Sequence, residues 1–291
     1  MSVYKHTYRA YTGKLTPGWT RIFVLARYGY AEAWSSKITI GIFILSLLPF
    51  IGFLFGIYLA NNPMARLLLG NHNQRVLAIN AGFFLNLMDA QFGPALVLAA
   101  WIAPRLITFD LADDALPILL SHPISRFGYV FGKWVALFAS LSLVTWIPAL
   151  VLFAYQGYSS PQPWAAANVP IAFGLVAGAV IWIAFLSLLG LALSSWVKWR
   201  VVATGAIFAA ILVPAGVGAI VTAVLRTKWG WLLNVPFMMS VLSQRLLGIP
   251  DLAGSQPSLP TAGMTAMLTL GCLLCVAMLF ARIRAREVVR G

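Results

Sequence analysis

The chain has 291 residues, 61% hydrophobic and only 9% charged. A soluble domain carries about a quarter charged residues and under half apolar ones, so a water-soluble globule is excluded and a bilayer is the solvent this chain needs. Lys and Arg number 20 against 7 Asp and Glu, a formal charge of +13. These basic residues lie between apolar runs rather than on one soluble face, which points to anionic lipid headgroups and away from nucleic acid.

The first residues are polar and show neither an early apolar core nor a small-residue cleavage site, so no cleaved signal peptide is expected. Residues 17–36 follow as a predicted helix, with Thr16 as N-cap and Pro17 at its first position. At 100° per residue Trp19, Ile22, Phe23, Ala26, Tyr30, Ala33 and Trp34 share one face, and Arg21, Tyr28, Glu32 and Ser35 the other. This pattern fits an interfacial helix lying on the membrane and leading into the first span.

A spanning helix needs about 20 mostly apolar residues. Six segments qualify: 38–60, 81–103, 129–155, 169–197, 201–225 and 263–281. Pro49, Pro94, Pro148 and Pro214 lie inside them and are expected to kink their helices. The expected fold class is therefore an all-α integral membrane protein, one transmembrane domain over 1–291. With both termini inside, the inside segments hold 15 Lys and Arg and the outside segments only Arg66, Arg75, Arg226, Lys228 and Arg245. That bias sets the expected orientation.

Asp89 is the one acid well inside a span, a placement that costs about 2.5–3.5 kcal/mol on insertion scales. Asn86 lies one turn earlier on the same face, so the pair fits either a translocation path or a polar clamp between helices. The pairs Gly52/Gly56 and Gly174/Gly178 have the four-residue spacing that lets helices approach closely. The outer segment 226–262 places Trp229 and Trp231 at headgroup level and starts a helix at Asn234-Val235-Pro236. A structural cap and an exit gate both fit it.

No catalytic site is legible. The nearest approach to a phosphate-binding loop, Gly128-Tyr-Val-Phe-Gly132-Lys133-Trp134, is one residue short and has Trp where a magnesium-binding hydroxyl is required. No G-x-S-x-G nucleophile occurs, and His6, His72 and His122 are too dispersed for a metal site. Cys272 and Cys275 lie in an apolar run and read as buried thiols. No metal and no cofactor are expected in this chain.

The inside loop 105–128 is the most informative stretch. Asp110, Asp113 and Asp114 are expected at the start of a short helix, where the macrodipole favours them. Leu111, Ala115, Leu116, Leu119 and Leu120 would form its apolar side, and Ser125 would cap a second helix running into the third span. Leu119-Leu120-Ser121-His122-Pro123-Ile124-Ser125-Arg126, followed by Tyr129-Val130 and Gly132-Lys133, resembles the coupling region of type-2 ABC exporter permeases. The resemblance extends to the interfacial helix, the six spans and the helical outer segment before the last span. It implies a permease subunit of an exporter in the cytoplasmic membrane, itself no enzyme. Its partners would be a pair of ABC ATPase subunits, which bind ATP and Mg, a second permease copy or a similar permease, and membrane lipid. It assigns docking on the ATPase to Pro123, Ile124, Ser125 and Arg126, beside Asp113 and Asp114. A non-transporting membrane anchor or assembly factor that recruits an ATPase through the same loop is the alternative.

Overall fold

The computed structural model describes residues 18–64, 78–112, 125–160, 163–250 and 259–283. Among them every regular element is helical. In chain order these are α1 (Gly18–Trp34), α2 (Lys37–Ser46), α3 (Leu48–Asn61), α4 (Ala81–Ala112), α5 (Arg126–Ser142), α6 (Trp146–Ser159), the single turn α7 (Trp164–Ala167), α8 (Val169–Trp196) and α9 (Arg200–Leu225). A 3-10 segment (Lys228–Leu233), α10 (Val235–Leu246) and α11 (Thr261–Arg282) complete them.

Six helical units are long and apolar enough to cross a membrane: 37–61, 81–108, 126–159, 169–196, 200–225 and 261–282. They coincide with the six segments expected from hydropathy. Two of them are broken. The first span divides at Leu47 into α2 and α3, and the third divides over 143–145 into α5 and α6. Each break falls just before a helix that carries a proline in its first turn, Pro49 and Pro148. A proline has no N–H for the preceding turn and is tolerated in a first turn, so the ladder restarts there. Pro94 and Pro104 of α4 and Pro214 of α9 instead lie within continuous helices.

The spans are not equivalent. The second, third and fourth bury more than half of their most apolar stretch, and α8 packs most extensively on α4 at the centre of the core. Leu98, Ile102, Leu137, Leu141, Trp182 and Leu186 anchor this centre. The first, fifth and sixth spans bury less than a quarter of theirs and turn apolar faces outward, as with Phe55, Val213, Ile220 and Leu273. In a bilayer such faces meet lipid or another bundle, so leaving them uncovered costs nothing comparable to exposure to water.

α1 departs from the expected pattern. It runs alongside α5, in the same direction, on a seam of small residues. An added Cβ at Gly128 would meet Ile22 at 3.3 Å, at Gly132 would meet Leu25 at 3.0 Å, and at Gly29 would meet Ala136 at 3.3 Å. Ala26 and Ala33 are buried on this seam, and Trp34 donates from its indole N–H to Ser140 (3.2 Å). The face expected to meet the membrane therefore divides. Its Ala26 and Ala33 side packs on α5, whereas Trp19 and Phe23 point outward with Tyr28. The proposed cap at Thr16 and Pro17 lies outside the described residues.

Candidate functional site

Helix α4 runs through Pro104 and ends at Ala112, and α5 begins at Arg126. The stretch 113–124 between them lies outside the described residues. Pro123, Ile124, Asp113, Asp114 and His122 fall within it. His6 and His72 lie outside the described residues as well.

Asp110 corrects the sequence reading. It was expected to open a short helix, but it lies within α4, which is described as far as Ala112. What holds it is a side-chain cluster assembled from three helices. The Lys133 ammonium of α5 lies 2.9 Å from Asp110 Oδ2. The Tyr129 hydroxyl donates to the same oxygen at 2.7 Å. Glu32 of α1 approaches Lys133 at 3.9 Å. The Lys133 side chain is only 5% exposed and that of Asp110 19%, so the pair is shielded from water. Burial pushes the Glu32 carboxyl above its ordinary value, an effect that Lys133 opposes. The cluster therefore joins the end of α4, the start of α5 and the flank of α1, on both sides of the 113–124 segment.

The start of α5 is fixed locally. Ser125 has an extended backbone (φ −71°, ψ 154°) and its side chain accepts from the N–H of Gly128 at 3.0 Å. This is an N-cap that satisfies one of the helix's free donors. Arg126 follows at an exposed position. Nearby, the Arg200 guanidinium stacks over the Trp101 ring (4.3 Å to the centroid), and Arg282 donates to the Ser195 carbonyl at 3.2 Å. Basic side chains thus gather at the end of the bundle that carries the 113–124 segment.

The opposite half of the bundle holds the second polar site. Asn86 and Asp89 share one exposed face of α4. Asp89 accepts a hydrogen bond from the Ser240 hydroxyl of α10 (2.9 Å). Both line a pocket of about 360 Å³ between α4, α8, α9 and α10, together with Phe92, Gly93, Trp182 and Leu212. α10 reaches this position because Asn234 caps it, accepting from the Phe237 N–H at 3.0 Å, and because α8 is notched by glycine. A Cβ at Gly174 would meet the Leu246 carbonyl oxygen at 2.6 Å, and one at Gly178 would meet Met88 Cε at 2.7 Å. Gly56 faces the Phe83 ring at 3.6 Å, and Gly52 meets open space within the chain.

Sequence reasoning missed the Lys133 cluster and Ser240. For the first, a signal existed. Lys133 lies on the apolar side of a spanning segment, where a lysine requires a partner. For Ser240 there was none, because a lone serine in a short outer helix is unremarkable.

The family model described as ABC-2 family transporter protein matches residues 76–284, which takes in both polar sites except Glu32. No curated protein matches the chain. Six membrane-capable helices in one bundle, the core matched by that family model, and no catalytic motif in the sequence lead to one assignment. The chain belongs to the ABC-2 transporter family and is a multi-pass membrane component of an ABC transporter.

Proposed function

We propose that the chain is the permease subunit of an ABC exporter in the cytoplasmic membrane, driven by a separate pair of ATPase subunits that bind ATP and Mg. The observation that carries this reading is the cluster of Glu32, Asp110, Tyr129 and Lys133. It ties the helices on either side of residues 113–124 together, α4 to α5, with Glu32 of α1 at its rim. A push on that segment would then move rigid helices instead of being absorbed by a slack connector. ATP binding on the partner would bias the bundle between inward-closed and outward-open arrangements through differential contacts at this one place. Pro123 and Ser125 would set the turn and helix start, Ile124 would supply an apolar contact, and Arg126 a charge-assisted one.

Two copies of the permease, or this chain and a similar one, would enclose the path. The outward apolar faces of the first, fifth and sixth spans supply surface for such pairing. Both termini and the 113–124 segment face the cytoplasm, in keeping with the gathered arginines and the 15-to-5 charge bias. In that orientation the outward faces of Trp19 and Phe23 on α1 meet the inner interface.

Co-purification with the ATPase, followed by turnover in lipid, tests the reading. Ile124→Ala with Arg126→Ala is expected to weaken ATPase binding or to uncouple hydrolysis from transport while the spans insert normally. Wild-type affinity and wild-type transport in the double variant would reduce the segment to a connector. ATPase binding without any transport would favour a membrane anchor. Native mass spectrometry is expected to find two permease copies per complex, and Ser121→Cys is expected to label only from the cytoplasmic side.

A further inference from the structure

The pocket at Asp89 has a definite chemical character. Asp89 is the sole charged residue in its lining. It sits eight residues into α4, about 12 Å along the helix from Ala81. Its carboxylate accepts from Ser240, and among the described residues no cation pairs with it. The remaining wall is apolar and aromatic: Phe92 and Trp182 stand with ring centroids 5.1 Å apart, and Leu212 of α9 faces them across the opening. Trp182 is 1% exposed and forms the inner end of this wall.

The Asp89 carboxylate is exposed at the pocket, holds one neutral hydrogen bond and lies within a membrane-spanning helix, where an incoming positive charge would compensate it. An anion would be repelled, and a neutral apolar molecule would leave the carboxylate uncompensated. A volume of about 360 Å³ falls within the range of small-molecule sites.

We propose that this pocket binds an amphipathic cation, an ammonium or other onium head at Asp89 with its apolar body against Phe92, Trp182 and Leu212. This rests on the reading of the chain as a transporter and names the substrate class for it. A free organic cation and a choline-headed lipid share this chemistry.

The probe is radiolabelled tetraphenylphosphonium, with tetraphenylborate as a control of matched shape and opposite charge. Equilibrium binding is measured on the full chain in maltoside micelles, with empty micelles subtracted. Saturable binding of the cation is expected, at least about tenfold tighter than that of the borate, and weakened about tenfold by Asp89→Asn. Gly93→Leu supplies a second arm should Asp89→Asn fold poorly. Its added Cβ meets nothing within 4 Å, so the helix is undisturbed while the side chain fills the pocket. It is expected to abolish binding. Phosphatidylcholine titrated as a competitor assigns the source: displacement indicates a lipid, and persistence a free cation, each consistent with an onium site. Equal binding of the borate, no saturable binding, or binding untouched by Gly93→Leu would overturn the proposal. No ATPase is present in the assay, so its failure leaves the co-purification result standing, and the reverse also holds.

Discussion

The chain's two acid sites in the membrane bundle, Asp110 partly buried and Asp89 exposed, solve the same problem in opposite ways. At one end Asp110 sits among Lys133, Tyr129 and, farther off, Glu32, with a cation 2.9 Å away. In the other half Asp89 has a single hydroxyl from Ser240 and a pocket in front of it. A network whose members are all satisfied rigidifies its surroundings, whereas a partly satisfied group in low dielectric is costly unless something else arrives. The first arrangement suits a joint that must pass on displacement without yielding. The second suits a place that is complete only when occupied.

The sharpest way to break that contrast is to remove the cation. Lys133→Met leaves Asp110 shielded and facing only Tyr129. Losing one partner of a buried pair costs about 3 kcal/mol, so a large drop in melting temperature in detergent is expected. Asp110→Asn placed on top of Lys133→Met removes the orphaned charge, and more than half of the loss is expected to return. A Lys133→Met protein that melts with the wild type would show that the cluster holds nothing together.

The next largest effect concerns how α10 is seated over Asp89. At Gly174 an added Cβ would collide with the Leu246 carbonyl, which is backbone and cannot swing away. At Gly178 the obstacle is the Met88 methyl, the free end of a flexible side chain. Gly174→Ala is therefore expected to lose about 2 kcal/mol and Gly178→Ala under about 1 kcal/mol. Thermal melts of the two variants, read side by side, check the ranking. Equal losses would mean that α8 and α10 are not held at this distance by Gly174.

What was legible in the sequence were the properties a segment carries by itself. Length and hydropathy located six spans, Ser125 and Asn234 announced their helices by local capping chemistry, and Asp89 advertised itself by its depth. What stayed hidden depended on partners distant in the chain. Asp110 looked like a helix start because acids usually are, and residue 103 looked like the end of the second span. α4 nevertheless continues through both, because Lys133 and Tyr129, some twenty residues later, compensate the carboxylate. Trp19 and Ala26 shared a predicted face, but the division between them is set by glycines on α5 that no helical wheel of α1 contains. Hydropathy also did not separate the buried third and fourth spans from the outward-facing first, fifth and sixth, since lipid and protein are equally apolar neighbours.

Asp89→Asn probes the opposite side of the comparison and is expected to be mild for folding. An asparagine oxygen still accepts from Ser240, so insertion and melting temperature should change little, while transport or stimulation of the ATPase should change clearly. An unaltered transport rate with a lowered melting temperature would instead make Asp89 a clamp between α4 and α10.

The smallest effect lies at the edge of the Lys133 cluster. Glu32 is partly exposed, 3.9 Å from Lys133, and also feels Asp110 and Arg105 of α4. Burial raises its carboxyl above the ordinary value of 4.5, with Lys133 lowering it less than burial raises it. The folded chain therefore holds this proton more tightly than the unfolded chain does. Its contribution to stability is fully present below pH 4.5 and is lost as pH rises through the folded value. Glu32→Gln removes that dependence. The variant is expected to match the wild type at low pH and to exceed it slightly at neutral pH, by less than about 1 kcal/mol because the site is half open to water. Melting temperatures of both proteins taken across pH 4 to 8, where the other titrating groups are common to the pair, isolate the difference. A Glu32→Gln protein that is less stable at neutral pH would mean that attraction to Lys133 outweighs burial, and Glu32 would then belong to the clamp rather than to its rim.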